Sequence, residues 1–139
     1  MTGGDAHVLV VAHRTAATPR LLEEVRRRAQ QSRCRITLLV PRPYWDPDTE
    51  EAELVIELAV PLLEEAAGRH VEAVVGADDP VDAVREFMAT DEVDEIIVST
   101  LPQGVSHWLR VDLPARVGRA SGLPVHHIIG VGAKQTVSA

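Results

Sequence analysis

The stretch Asp91–Ile129, DEVDEIIVSTLPQGVSHWLRVDLPARVGRASGLPVHHII, contains two short apolar runs separated by a loop and a helical pattern. Glu95–Ser99 and Pro124–Ile129 have the length and the β-branched composition of buried strands. Between them, a helix is predicted to begin at Asp112–Pro114 and to end at Gly122. A strand, a helix and a second strand in this order predict a right-handed βαβ unit with parallel strands.

The same alternation extends back to the N-terminal part of the chain. Three further apolar runs are predicted as strands and three further amphipathic segments as helices: strands His7–Ala12, Arg35–Val40 and Val71–Val75, and helices over residues 19–31, over residues 49–68 and from Asp79-Pro80 onward. Pro61 lies inside the second of these helices, where it is expected to kink the helix or to break it in two. Five strands and four helices predict an α/β fold, a three-layer sandwich around a parallel five-stranded sheet.

Length and composition indicate one domain and exclude several classes of protein. The 139 residues fit a single domain with its core at residues 7–130 and a flexible tail at 131–139. The net charge is −7 and no basic stripe is present, so a nucleic-acid partner is not expected. No apolar run approaches the ~20 residues that span a bilayer, and no signal peptide is evident. We therefore expect a cytoplasmic protein without a membrane partner.

The cluster Arg26–Arg28 follows two glutamates by one helical turn. This spacing predicts exposed ion pairs from Glu23 to Arg27 and from Glu24 to Arg28. The cluster is therefore interpreted as a solvated helix face.

Ligands of parallel α/β sheets bind beyond the carboxyl ends of the strands, where the direction of winding reverses. The loops that follow the first, second and fourth strands are expected to meet there. The candidate ligand-binding residues are His13, Arg14, Val40, Ser99, Thr100, Gly104, Ser106, Trp108, Arg110 and Asp112. Hydroxyl and guanidinium groups could donate to an anion while Trp108 stacks on a base. Alternatively, Trp108 packs beneath its loop and Arg110 pairs with Asp112, and the sequence favours neither interpretation.

The sequence favours neither catalysis nor metal binding. His13 with Ser99 or Ser106 would supply a base and a nucleophile, but no orienting residue or oxyanion loop is identified, so no catalytic residue is expected. A hydrogen bond from His13 to a neighbouring loop is favoured over a ligand contact. His126 and His127 are adjacent on a predicted strand, so their side chains point to opposite faces and cannot chelate one ion. No metal site is expected.

Three segments, spread over about residues 7–130, resemble the universal stress protein family. They are VLVVAHRTAATPRLLEEV at residues 8–25, VVGADDPVDAVREF at residues 74–87, and the stretch Asp91–Ile129. The resemblance implies an adenine nucleotide alpha hydrolase-like fold with strand order 3-2-1-4-5. It also implies a stress-response role in binding and signalling rather than an enzyme.

Family members that bind ATP carry a glycine-rich pattern after the fourth strand, ending in Gly-Ser or Gly-Thr at a helix N-terminus. Here Ser99 and Pro102 stand at two glycine positions and Asp112-Leu113 at the final pair, so that Gly104 is the one glycine retained. His13 replaces an aspartate at the end of the first strand. Pro102 has no amide hydrogen to donate. Asp112, a predicted N-cap, places a carboxylate where the phosphates would lie.

These departures imply a domain that does not bind ATP in the usual manner of the family. We expect no cofactor, or a nucleotide bound weakly. Two alternatives stay open: an ATP-binding member that hydrolyses ATP slowly, and a structural interaction module without any ligand.

The strand order implied by the resemblance makes the last strand an edge of the sheet. An exposed apolar edge invites pairing with another chain, and family members commonly dimerise through this strand. The predicted interface of the homodimer consists of Val125, His127 and Ile129. Protonation of histidines at such an interface would weaken it.

Overall fold

The protein is described from a computed structural model over residues 5–42, 50–101 and 112–130. Strands and helices alternate along these residues, as predicted. The strands are β1 (Ala6–Val11), β2 (Cys34–Pro41), β3 (Val71–Gly76), β4 (Glu95–Thr100) and β5 (Val125–Ile129), and the helices are α1 (Pro19–Gln31), α2 (Glu50–Ala67), α3 (Pro80–Thr90) and α4 (Leu113–Ser121).

The strands form one parallel sheet in the order β3-β2-β1-β4-β5. The central strand β1 pairs with β2 on one side and with β4 on the other, so that Val10 is level with Leu38 and Ile97. This confirms the α/β fold and the strand order expected from the sequence. Within the described ranges, no helix is both long and apolar enough to cross a membrane.

The two faces of β1 are buried in two different apolar clusters. Val8 and Val10 point to the face covered by α1 and α2, and Leu9 and Val11 to the face covered by α3 and α4. The first cluster includes Leu21, Val25 and Leu63, and the second includes Val84, Leu113 and Val117. All four β1 residues are at most 1% exposed. This double burial explains why the strand is continuously apolar rather than alternating.

Helices α1 and α3 begin as their sequences predict. Thr18 accepts a hydrogen bond from the amide of Leu21, and Asp79 accepts one from the amide of Val81 at 2.8 Å. Proline follows each cap at the first helical position, where its missing amide hydrogen costs no helical hydrogen bond.

Helix α2 continues through Pro61 as a single helix. Of the two outcomes expected for this proline, the break therefore does not occur. Pro61 is exposed, whereas Ala59, Leu63 and Ala66 on the opposite side are buried against the sheet. Because packing of an apolar face supplies most of the stability of a helix in a protein, it outweighs one lost backbone hydrogen bond.

Both predicted ion pairs, from Glu23 to Arg27 and from Glu24 to Arg28, are wrong. The pairs that form are three residues apart rather than four: Glu23 pairs with Arg26, and Glu24 pairs with Arg27. Arg28 is only 7% exposed and donates to both carboxylate oxygens of Glu95 on β4, at 2.9 and 3.1 Å. These bonds raise the pKa of the Arg28 guanidinium. Arg28 lies at the inner boundary of α1, so its long side chain reaches the start of β4 and ties the helix to the sheet.

The close approach of β3 and α3 predicts an effect of a single methyl group. A Cβ atom on Gly76 would lie 2.6 Å from the Cβ atom of Ala83 and 2.9 Å from Cδ1 of Leu39. Gly76→Ala is therefore expected to lower the free energy of unfolding by about 1–3 kcal/mol in urea denaturation.

Gly118→Ala is the matched control for this prediction. Its Cβ atom would make only an ordinary contact, 3.7 Å from Cγ2 of Val125, inside helix α4. This change is expected to raise the free energy of unfolding by about 0.5–1 kcal/mol, because alanine favours the helix. Equal stability of the two variants would contradict the tight contact at Gly76.

Candidate functional site

The candidate site lies at the edge of the sheet where β1, β4 and β5 end. The segment from Ala12 to Thr18 leaves β1 and crosses this edge to reach α1. Helices α2 and α4 begin at the same edge, because each follows a strand in a parallel sheet. The described residues of the predicted site are therefore near one another in the fold.

Ser99 is held inside the protein by a hydroxyl of the β1–α1 segment. Its Oγ donates to Oγ1 of Thr15 at 2.7 Å, and the two residues are 0% and 2% exposed. The carbonyl of Thr15 in turn accepts from the amide and the hydroxyl of Thr18, which caps α1. The hydroxyl hydrogen of Ser99 is therefore donated to Thr15 and not to His13, and the sequence had not favoured a catalytic pairing of Ser99 with His13.

Gly130, directly after β5, lies close to the end of β4 and to the β1–α1 segment. Its amide donates to the carbonyl of Thr100 at 2.6 Å. A Cβ atom at this position would lie 2.9 Å from Cγ2 of Thr15 and 3.2 Å from Cγ2 of Thr18. A larger residue would push against the β1–α1 segment, so the glycine allows β4, β5 and this segment to meet.

Thr100 is also engaged within the protein. Its Oγ1 lies 2.8 Å from Nε2 of His127 on the neighbouring strand β5, and the threonine is 2% exposed. Partial burial lowers the pKa of His127 below its ordinary value of 6.5. The neutral imidazole is therefore favoured, and a hydrogen bond to the hydroxyl fits either tautomer.

His13 and Arg14 differ in their exposure at the same edge. His13 is 9% exposed, and its Nε2 lies 3.9 Å from Oε1 of Glu51 in the first turn of α2. Arg14 is exposed. Reasoning from the sequence missed Glu51, because acidic residues at a helix start are explained by the helix dipole alone. The topology was the available signal, since it brings the start of α2 to the end of β1.

Val40 is fully buried and belongs to the core cluster between the sheet and helices α1 and α2. Its side chain is therefore not at the surface of the cleft. Contact between Val40 and a ligand would be restricted to its backbone.

Asp112 precedes α4 in a left-handed conformation, with φ 56° and ψ 49°. Its side chain forms no cap hydrogen bond, so the predicted side-chain N-cap is wrong. Capping residues usually have extended backbone, and the left-handed one leaves the carboxylate away from the first-turn amides. Among residues with a side chain, Asp112 alone has a positive φ in the described ranges. Glycine adopts this conformation without strain.

Four predicted site residues, Gly104, Ser106, Trp108 and Arg110, lie outside the described residues. Their role, and the ligand-binding role of the whole set, stay predictions. His126 and His127 are level with Ile97 and Val98 of β4, so they occupy opposite faces of the sheet. Over the same described ranges, no group of three or more His, Cys, Asp or Glu residues could hold a metal ion.

Solved structures of universal stress proteins share this fold. The protein from Archaeoglobus fulgidus in complex with dAMP has a TM-score of 0.64 and 16% identity, covering 90% of this chain and 98% of its own. A universal stress protein in complex with cAMP has a TM-score of 0.64 and 18% identity over 91% and 98% of the two chains. A family protein from Arabidopsis thaliana with AMP bound has a TM-score of 0.65 and 18% identity over 94% and 95%. No known family profile and no curated protein matches the sequence.

The buried hydroxyl pair predicts non-additive effects of two substitutions. Ser99→Ala should lower the free energy of unfolding by about 1–3 kcal/mol, because the Thr15 hydroxyl is left buried without its donor. The double variant Ser99→Ala with Thr15→Val replaces both polar partners and should be close to the wild type in urea denaturation. A double variant as unstable as the sum of the single changes would show that these hydroxyls do not interact.

Proposed function

We propose that this chain is a divergent universal stress protein domain whose cleft binds an adenine nucleotide with a single phosphate, without turnover. The fold and the strand order support the first part. The three similar structures support the second, because AMP, dAMP and cAMP each carry one phosphate. A stress-response role in the cytoplasm belongs to the same proposal and rests on the resemblance in sequence.

The conformation of Asp112 is the observation that carries this proposal. The resemblance places a glycine at this position in ATP-binding members, and the left-handed backbone is the one a glycine would adopt. The backbone of this chain at this position is therefore compatible with a glycine, and Asp112 adds an exposed carboxylate there. That carboxylate would repel phosphate groups that lie at the start of α4.

The repulsion increases with the charge of the ligand. A phosphate monoester carries about −1.5 to −2 charges near neutral pH, a cyclic phosphodiester carries less and a triphosphate more. In water, each unit charge about 4 Å from the carboxylate costs about 1 kcal/mol. This difference disfavours ATP relative to AMP or cAMP.

The start of α4 can still hold one phosphate. The Asp112 side chain does not cap the helix, so it accepts no hydrogen bond from the first-turn amides of Leu113 and Ala115. Pro114, between them, has no amide hydrogen. These amides lie at the positive end of the helix dipole, where anions are stabilised. Two donors suit one phosphate better than a chain of three.

A second candidate function, a ligand-free interaction module, is favoured by the hydroxyl groups. Ser99 and Thr100 were expected to face a ligand, but both are buried and hydrogen-bonded within the protein. Their loss as donors reduces the affinity expected for any nucleotide. The two functions differ in whether nucleotides stabilise the folded protein.

The first test measures the melting temperature with saturating AMP, cAMP, Mg-ATP or no ligand. A ligand that binds only the folded state raises the melting temperature. We expect a rise with AMP or cAMP and a smaller rise with Mg-ATP. A larger rise with Mg-ATP would contradict the proposal, and no rise with any nucleotide would favour the ligand-free module.

The second part of this test changes the charge at Asp112. Asp112→Asn keeps the size of the side chain and tolerates left-handed backbone, whereas Asp112→Gly removes the side chain. Both should tighten Mg-ATP binding about fivefold, which corresponds to about 1 kcal/mol. Asp91→Asn, at the opposite end of the sheet after α3, makes the same charge change as a control and should have no effect. If Mg-ATP binding is tighter in Asp112→Gly but not in Asp112→Asn, the size of the side chain rather than its charge weakens binding.

The homodimer is proposed to form through β5. This strand is an edge of the sheet and pairs with β4 on one side. Ile129 is 37% exposed there, His127 is exposed and Val125 is partly buried against α4. Outward-pointing backbone groups of such an edge readily pair with a second copy.

Sedimentation at micromolar concentration tests the dimer. We expect a dimer at neutral pH and dissociation at an acidic pH at which His127 becomes charged. The pKa of His127 is lowered, so dissociation should begin below its ordinary value. His127→Gln should remain dimeric at both pH values. A wild-type monomer at neutral pH would contradict the dimer.

A further inference from the structure

The three most exposed large apolar side chains of the described residues lie on one side of α2. Leu54, Leu58 and Leu62 are 53%, 65% and 43% exposed, against 37% for Val74 and Ile129. Residues four apart on a helix are neighbours on its surface, so these leucines form a continuous row of roughly 12 Å, which we call the leucine row. These leucines do not belong to the buried side of the helix. The residues buried there are Ala52, Ala59, Leu63 and Ala66.

An acidic row runs beside the leucine row. Glu57 and Glu65 are exposed and occupy positions next to Leu58 and Leu62 on the helix surface. Helix α2 contains six glutamates and neither lysine nor arginine. The charge beside the apolar row is therefore of one sign along the whole helix.

Pro61 adds a backbone acceptor to the acidic row. It lies between Glu57 and Glu65 in the spacing of four, and it is exposed. Because proline has no amide hydrogen, the carbonyl of Glu57 lacks the donor that an α-helix normally provides. The cost of about 3 kcal/mol for a proline in a helix interior is offset by the packing of the buried side of α2.

We propose that this side of α2 is a docking surface for a basic amphipathic helix of another protein. The apolar side chains of that helix would cover the leucine row, and its lysine or arginine side chains would pair with Glu57 and Glu65. Such a helix laid into an apolar groove is a recurring mode of recognition. The proposal is independent of the nucleotide cleft.

The charge pattern decides between this occupant and two others. A second copy of this chain would place glutamates of one α2 against glutamates of the other, which is repulsive. An anionic membrane surface would repel the same glutamates. A partner with basic residues beside its apolar row gains from both features.

The experiment uses two fluorescent peptides with identical leucine and alanine positions. One has lysine at every polar position and the other has glutamate, and each is about 18 residues long so that a helix can form. Fluorescence anisotropy should show binding of the lysine peptide to the full chain, weaker binding in high salt, and no binding of the glutamate peptide. Equal binding of both peptides, or binding of neither, would overturn the proposal.

Variants locate the peptide on the surface. Leu58→Gln, which keeps a good helix former at an exposed position, should weaken lysine-peptide binding about tenfold or more. The double variant Glu57→Lys with Glu65→Lys should lose the lysine peptide and gain the glutamate peptide. Glu86→Lys on α3, in the opposite layer, makes a matched charge change at an exposed position and should bind as the wild type does. Wild-type affinity in Leu58→Gln would contradict the site.

Two further measurements identify the competing occupants. Sedimentation of the wild type and of Leu58→Gln would reveal a dimer that depends on the leucine row. Flotation with phosphatidylcholine vesicles would reveal membrane binding that depends on the same row. Either result would replace the partner helix as the occupant, and the absence of both is expected. Circular dichroism of every variant should show the helix content of the wild type.

Discussion

Burial of β1 on both faces is the constraint on which the other elements depend. Val8 and Val10 pack under α1 and α2, while Leu9 and Val11 pack under α3 and α4. A strand with apolar side chains on both faces is stable only if helices cover both sides of the sheet. The crossovers then bring the ends of several strands and the starts of several helices to one edge. The candidate site is therefore a consequence of how the core is covered.

The same edge shows how the interior restricts the chemistry of the cleft. Ser99 and Thr100 continue β4 to its end, where burial requires a partner for each hydroxyl. Thr15 and His127 supply these partners from adjacent segments. The close contact of Gly130 with Thr15 fixes the β1–α1 segment further. Hydroxyl groups that the sequence predicted to face a ligand are here hydrogen-bonded within the protein.

The fold could be predicted from the sequence because its signals are local. Apolar runs such as His7–Ala12 and Arg35–Val40, with proline after each predicted cap, identify the elements and their order. The contacts that depend on distant segments could not be predicted in this way. The bond between Ser99 and Thr15 joins residues 84 positions apart, and that between Arg28 and Glu95 joins residues 67 apart. Helical spacing predicted a pair between Arg28 and Glu24, which is nearer in sequence. The packing of α1 on the sheet shows that Arg28 binds Glu95 instead.

At Asp112, the residue type and the backbone conformation indicate different things. Its residue type predicted a helix cap, but its left-handed conformation prevents the side chain from capping α4. A residue other than glycine is strained there, by roughly 1–2 kcal/mol for most side chains and less for aspartate. Because this strain is kept while the first-turn amides gain no cap, helix stability does not explain the aspartate. The proposed discrimination against highly charged ligands at the start of α4 is the role that we infer for this residue.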